Sequence, residues 1–284
     1  MGRKIILSSD STADLSKEII ERYNVIVTPL HIVLNGEVYD DNVNITPEEI
    51  FENFEKNGTL PKTTAVNSHE YSEAFKPYIE QGYDIVHISI GSALSMSYEQ
   101  CCITAKELGH IYPIDSCNSS AGSAMLLIEA AKRIEQGMSA EHVAKEVREL
   151  TAKCHNSYVL GTLTYMTAGG RCPSLSTIGI NALGIRPRID ISGVTGRATI
   201  GKKYRGRPIR MFENFVNDQL KNIDSIESNC IFIIHSGVEQ EIIDHIYEII
   251  ESKDYFDKIY ITKAGCTISS HRGSGSLGMV YMKK

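Results

Sequence analysis

The sequence has no long hydrophobic run near its start. The first apolar run is only Ile5-Ile6-Leu7, whereas a membrane-spanning helix needs about 20 apolar residues and a signal-peptide core about 7 to 15. We therefore expect a cytoplasmic protein whose contact with membranes is at most transient.

Paired cysteines and an excess of positive charge are also absent. The cysteines are seven, an odd number, and none forms a CxxC pair. Scattered cysteines of this kind indicate free thiols in a reducing compartment and argue against a disulfide framework or a zinc site. The net charge of −6 argues against nucleic acid as a partner.

Sequence motifs of several enzyme classes are missing as well. There is no GxxxxGK[ST] P-loop and no HExxH zinc motif. Gly91-Ser92-Ala93 does not have the GxSxG pattern of a nucleophile elbow, and no acid–base partner stands beside it. These absences favour a binding function over catalysis, and we expect no metal and no cofactor.

The length and composition indicate two globular domains. The chain has 284 residues, of which 42% are hydrophobic and 23% charged, and this length exceeds that of a typical single domain. We place the boundary near residue 155, with one domain over residues 1–155 and the other over residues 156–284.

In the first domain, short apolar runs alternate with helical patterns. Strands are predicted at residues 4–9, 25–34, 84–90 and 111–114, with a hairpin turn at Asn35-Gly36. Thr46 and Glu49 form a capping box that opens a helix to about residue 56, and residues 61–67 are predicted as a loop. Alternating strands and helices give a mainly parallel sheet, so we expect a three-layer α/β/α domain.

In the second domain, the pattern changes to a mixed sheet with helices on one face. Helices are predicted at residues 211–222 and 240–252. Strands are predicted at residues 158–162, 185–192, 198–203, 231–235, 258–262 and 279–282. The whole chain is therefore an α/β protein whose second domain has two layers.

Side-chain hydroxyls cluster where predicted strands end. The clusters are Ser8–Thr12, Ser92 with Ser95 and Ser97, and Asp115-Ser116. Ligands of parallel α/β sheets bind beyond the carboxyl ends of the strands, and a helix N-terminus there favours a carboxylate or phosphate. The same residue types are also ordinary helix caps, so the residues alone leave both interpretations open.

Three further segments are candidates. Thr63-Thr64 lies in the predicted loop, where its hydroxyls can add to an anion site or only begin a turn. His271 stands beside a glycine-rich turn and can donate a hydrogen bond or act as a base. Arg171 follows two glycines, which places its guanidinium on an exposed bend.

Short motifs in a fixed order resemble the DegV family over nearly the whole chain. The motifs are Asp10–Leu15, Lys62-Thr63-Thr64, Leu94–Tyr98, Ile114-Asp115-Ser116, Leu163–Met166 leading to Gly169-Gly170-Arg171, Arg186-Pro187, and the turn from His271 to Gly278.

This resemblance implies a two-domain protein that buries a long-chain fatty acid as its ligand. It implies a carrier that presents the acyl carboxylate to a separate fatty-acid kinase subunit, which makes acyl phosphate for phospholipid synthesis. Carried over residue by residue, Thr63 and Ser95 meet the carboxylate, with His271 nearby. Arg171 matches the arginine of the family's Gly-Gly-Arg motif and is expected to face the kinase. Ser92 and Thr64 complete the candidate ligand-binding set.

The chain departs from the family's pattern beside the expected site. The family usually has Thr-Ser-Gln-Pro where this chain has residues 63–66, and Gly-Thr where this chain has Met96-Ser97. Gly91 replaces a serine, and Ser274 replaces a proline. The hydroxyls of Thr63 and Ser95 are retained, while Met96 adds bulk that bears on the choice of acyl chain.

Two other functions are compatible with the same residues. The first is a hydrolase or acyltransferase that uses Ser95 and His271. The second is a regulator that binds a small phosphate or a sugar at the helix N-termini.

Overall fold

The computed structural model describes residues 3–177 and 184–284. The elements of the first half are β1 (Lys4–Asp10), α1 (Lys17–Tyr23), β2 (Ile26–Thr28), β3 (His31–Leu34), β4 (Glu37–Asp40), α2 (Pro47–Asn57), β5 (Lys62–Thr64), α3 (Ser68–Glu80), β6 (Tyr83–Ser89), α4 (Ser97–Leu108), β7 (Ile111–Asp115), α5 (Ala121–Glu135) and α6 (Ala140–Leu150). Those of the second half are β8 (Cys154–Val159), α7 (Thr164–Gly169), β9 (Arg186–Ile191), β10 (Ala198–Tyr204), α8 (Pro208–Gln219), β11 (Ile226–Ser236), α9 (Gln240–Glu251), β12 (Ile259–Lys263), α10 (Cys266–Arg272) and β13 (Ser276–Lys283).

A parallel four-stranded sheet with the order β2-β1-β6-β7 forms the centre of the first half. Successive residues of a strand point to opposite faces, and β6 shows this directly. Ile85 packs with α3 and α4, whereas Val86 and Ile88 pack with α5 and α6. Helices thus cover both faces, and the predicted three layers are confirmed.

A six-stranded mixed sheet with the order β10-β9-β8-β13-β11-β12 forms the second half. Its strand pairs are antiparallel except β11 with β12. On one face Ile231 and Ile233 pack with α8 and α9, which gives the two layers predicted for this half.

Helix α5 joins the two halves. Its segment from Ala121 to Ala131 is almost wholly buried, because it packs between the parallel sheet and the face of the mixed sheet that carries Phe232 and Ile234. The membership of the sheets changes where β8 begins at Cys154. The domain boundary near residue 155 stays a prediction.

A third, antiparallel sheet with the order β4-β3-β5 corrects two predictions. The single strand predicted at residues 25–34 is divided at Pro29 into β2 and β3, which belong to different sheets, since proline lacks the N–H that a central strand needs. The loop predicted at residues 61–67 contains β5, which pairs with β3. A three-residue strand is too short to show a period in the sequence.

The local turn and cap predictions are confirmed. Asn35 and Gly36 have φ of 54° and 87°, as a two-residue hairpin turn requires. The Thr46 hydroxyl accepts from the backbone N–H of Glu49 at 3.4 Å, and the Glu49 carboxylate accepts from that of Thr46 at 2.7 Å. All seven cysteines are free thiols, as the sequence predicts.

Candidate functional site

A cavity lies where β5, the segment before α4, helix α10 and the β9–β10 hairpin meet. Its volume is about 760 Å³ when the solvent space at its open mouth is included. Much of its wall is apolar, with side chains from both halves of the chain. The main apolar lining residues are Leu30, Ile90, Leu94, Met166, Ile191 and Ile268.

Thr63 and His271 meet in the wall of this cavity although 208 positions separate them in the sequence. Thr63 Oγ1 lies 2.9 Å from His271 Nε2. Thr63 belongs to β5, and His271 lies in the last turn of α10. The turn predicted around His271 is therefore a helix up to Arg272, and the glycine turn begins only at Gly273.

The imidazole of His271 is neutral near pH 7. Burial, helped by the positive charge of Arg171, lowers the pKa of His271 to about 4. Nδ1 is buried and has no hydrogen-bond partner among the described residues. Because an unpaired buried N–H is rarer than an unpaired acceptor, we assign the proton to Nε2. Nε2–H then donates to Thr63, and the Thr63 hydroxyl proton is left to donate to a ligand.

The Gly169-Gly170-Arg171 segment supports His271 from the end of α7. A Cβ atom at position 169 would lie 2.3 Å from Nδ1 of His271. The imidazole can therefore take this position only when residue 169 is glycine. Gly170 ends α7 with φ of 67°, a conformation that glycine adopts without strain. The Arg171 guanidinium donates to the carbonyl of Gly169 at 2.8 Å and lies exposed at the cavity mouth.

Ser95 lines the same cavity at the N-terminus of α4, a helix of 12 residues. Its Oγ lies 3.0 Å from Ser97 Oγ and accepts from the Ser97 backbone N–H at 3.3 Å. The positive end of the helix dipole favours an anion beside Ser95. Met96 is 58% exposed, so its bulk borders the mouth of the cavity.

Ser92, included in the predicted ligand-binding set, lies outside the cavity lining. Its hydroxyl donates to Asp115 at 2.5 Å, and its backbone N–H donates to the same carboxylate at 3.1 Å. Ser92 therefore holds the loop between β6 and α4 in place. Thr64 lines the cavity from an exposed position in β5.

Four polar lining residues have no place in the predicted site: Ser119, Tyr158, Thr267 and Arg272. Thr267 and His271 are four residues apart on α10, and so are Ile268 and Arg272, so that one side of the helix faces the cavity. Recognising residues 266–272 as a helix would have placed Thr267 and Arg272 beside His271.

Helix α10 is anchored by carboxylates from the first half of the chain. The backbone N–H groups of Gly265 and Cys266 donate at 2.7 Å to Asp14 and Asp41, respectively. Burial raises the pKa of Asp14 to about 7. The helix that carries His271 is thus positioned by groups near the end of β1, and the site requires both halves to be docked.

The segment Gly273–Gly278 has the GxGxxG spacing of a dinucleotide-binding turn. That motif leads from a strand into a helix, whose N-terminus then holds the phosphates. Here the segment leads from α10 into β13, so no helix begins at these glycines.

Within residues 3–177 and 184–284, no helix is long and apolar enough to cross a bilayer. In the same ranges, no group of three or more His, Cys, Asp or Glu side chains is placed to hold a metal ion.

The parallel and mixed sheets and the cavity between the halves define an α/β protein whose largely apolar pocket carries a hydroxyl–imidazole pair in its wall. The chain belongs to the DegV family. A family model described as an uncharacterised protein of the DegV family matches residues 4–284, which confirms the resemblance drawn from the motifs.

Relatives and solved structures agree with this assignment. A DegV domain-containing protein of Clostridium perfringens is 30% identical over 286 residues, which cover 99% of each chain. A DegV family protein of Thermus thermophilus, described by its fatty-acid binding, has the same fold with a TM-score of 0.90 at 23% identity over 99% of this chain and 100% of that one. A stearic-acid-binding protein of Eubacterium ventriosum gives a TM-score of 0.84 at 25% identity over 100% and 99%. The α/β fold is thus confirmed.

Proposed function

We propose that this chain binds a long-chain fatty acid and presents its carboxylate to a separate kinase subunit. The observation that carries the proposal is the cavity itself, in which apolar walls adjoin Thr63, Ser95 and His271. The fatty acids described for the DegV proteins of known structure support the same ligand class.

The carboxylate would be held by hydrogen-bond donors and a helix dipole. With the proton assigned to Nε2 of His271, Thr63 accepts from the imidazole at 2.9 Å and keeps its own hydroxyl proton. Ser95 offers a second hydroxyl at the start of α4. Hydrogen bonds to a charged acceptor are about twice as strong as neutral ones. Arg171 adds positive charge at the mouth, where a carboxylate would remain accessible to a partner.

The acyl chain would occupy the apolar part of the cavity, along Ile90, Ile191 and Ile268. Burying a methylene group contributes about 0.8 kcal/mol. A chain of many methylenes therefore supplies most of the binding free energy, and the polar groups fix its orientation.

A hydrolase using Ser95 and His271 is less well supported. The imidazole Nε2 contacts Thr63, and the Ser95 hydroxyl contacts Ser97. A nucleophilic serine needs a base within hydrogen-bond reach and a third group that orients the base. His271 Nδ1, which would receive that third group, has no partner among the described residues. We therefore propose a non-catalytic subunit.

Organic extraction of the purified protein tests the ligand class. We expect mass spectrometry of the extract to find long-chain fatty acid in a near-stoichiometric amount. Delipidated protein should then bind stearate or oleate. The absence of co-purified fatty acid together with no binding of either added acid would overturn the proposal. A phosphate or sugar recovered instead would favour the regulator.

Arg171→Ala tests whether this side chain serves a kinase partner. We expect stearate binding to change less than about threefold, because hydroxyls and apolar walls hold the ligand. Acyl-phosphate formation with the fatty-acid kinase subunit of the same organism should fall at least about tenfold. Arg210→Ala, at an exposed arginine of α8, is the control and should leave both quantities unchanged. Equal losses of binding and acyl phosphate in Arg171→Ala would show that Arg171 acts on the bound carboxylate and not on the kinase.

A further inference from the structure

We propose that the cavity selects acyl chains bearing an oxygen substituent, a hydroxyl or keto group along the chain, through Arg272 and Thr267 of α10. This inference rests on the proposed fatty-acid binding and narrows its ligand class. The inference is based on the polar part of the cavity wall. Hydrogen-bond donors are buried there, and an unsubstituted hydrocarbon chain would leave them without acceptors.

Arg272 is a buried cation in the cavity wall. Its side chain is 3% exposed, and its guanidinium carbon lies 4.0 Å from the centroid of the Tyr158 ring. One nitrogen reaches Ser119 Oγ at 3.4 Å, a long hydrogen bond. Among the residues that the structure describes, no carboxylate comes within 4.0 Å of the guanidinium. The Tyr158 side chain also interacts with the guanidinium through a hydrogen bond. A guanidinium has five N–H donors, so donors remain for an acceptor in the cavity beyond Ser119 and Tyr158.

Thr267 adds an unpaired hydroxyl to the same wall. Thr267 is 3% exposed, and its Oγ1 is buried without a partner among the described residues. Ser270 on the same helix donates to the Cys266 carbonyl at 2.7 Å, which is the usual solution for a hydroxyl in a helix. Thr267 lies in the first turn of α10, where no carbonyl of the helix stands four residues before it.

An oxygen substituent on the acyl chain of the ligand would give a hydrogen-bond partner to both Arg272 and Thr267. A hydroxyl or keto oxygen accepts from the guanidinium, and a hydroxyl can also pair with Thr267. A plain hydrocarbon chain would offer no acceptor to the guanidinium and would leave the Thr267 hydroxyl unpaired, so it should bind more weakly than an oxygen-bearing chain.

The test compares stearate with 3-hydroxystearate, 10-hydroxystearate and 12-hydroxystearate on delipidated full-length protein. We expect at least one hydroxystearate to bind about tenfold or more tightly than stearate. Thr267→Val and Arg272→Met should each bring the affinity ratio of hydroxystearate to stearate towards one. Thr267→Val is the decisive variant, since its lost hydroxyl has no protein partner and the fold should persist. A thermal melt checks folding in both variants.

The matched control is Thr262→Val. Thr262 Oγ1 is likewise buried and unpartnered among the described residues, but it lies on β12 outside the cavity lining. The affinity of Thr262→Val for the preferred hydroxystearate, relative to stearate, should equal that of the unsubstituted protein. Tight stearate binding with no hydroxystearate preferred, or a preference that survives Thr267→Val and Arg272→Met, would overturn this inference alone. No binding of any of the four acids would overturn the proposed function and this inference with it.

Discussion

Thr63→Val should weaken fatty-acid binding by about 10- to 100-fold. The valine keeps the shape and β-propensity of the residue in β5 but removes the hydroxyl that lies 2.9 Å from His271 Nε2. A hydrogen bond to a charged acceptor contributes about 1.5–3 kcal/mol, and each 1.4 kcal/mol is a factor of ten in affinity. Fluorescence displacement with stearate measures the change.

The ligand-free Thr63→Val protein should lose about 1–3 kcal/mol of stability, because the His271 N–H that donates to Thr63 is left without a protein acceptor. Thr63→Ser is the matched control, since it keeps the hydroxyl, and it should retain most of the affinity. If Thr63→Val unfolds the ligand-free protein, the hydroxyl is a structural group and its assignment to the carboxylate is wrong.

Gly169→Ala should disrupt the site at least as strongly, although residue 169 need not touch the ligand. Its Cβ would lie 2.3 Å from Nδ1 of His271, so the imidazole has to shift and its 2.9 Å contact with Thr63 is disturbed. The Thr63 hydroxyl then loses the donor that orients it. We expect an affinity loss equal to or larger than that of Thr63→Val, and overpacking should cost about 1–3 kcal/mol of stability. Stearate titration and chemical denaturation measure the two effects.

The double variant Gly169→Ala with His271→Ala separates crowding from other causes. With the imidazole gone, the methyl group at position 169 has space, so most of the stability lost in Gly169→Ala should return while binding stays weak. Such non-additivity is expected for residues in contact. Additive stability losses would show that the methyl group clashes with something other than His271.

Sequence patterns predicted the elements that depend on neighbouring residues. The capping box of Thr46 and Glu49 and the hairpin turn at Asn35-Gly36 are held by contacts within a few positions. The parallel sheet followed from strands that alternate with helices. Failures occurred where pairing is distant, as in β5, whose three residues form a strand only beside β3.

Some residues of the candidate site could likewise be identified from the sequence, and others could not. The hydroxyls of Thr63 and Ser95 and the imidazole of His271 were identified in the sequence, through the order of short motifs. Ser92 belongs to the same hydroxyl-rich segment as Ser95, yet its hydroxyl is bonded to Asp115. Composition could not separate the two serines, because the loop backbone decides which hydroxyl faces the cavity.

The α/β class, the family and the free thiols could be read from the sequence, and so could Thr63, Ser95 and His271, the three side chains that we propose for the anion-binding end. The packing of distant segments had to be seen to learn that Gly169 leaves space for His271 and that α5 packs between the parallel and the mixed sheet. That packing also decided that Arg272 and Thr267 face the cavity. Caps, turns and periodic patterns arise from contacts between near neighbours in the chain, so they leave a signal in the sequence. A cavity wall arises from contacts between residues as distant as Thr63 and His271, which become neighbours only when the two halves pack together.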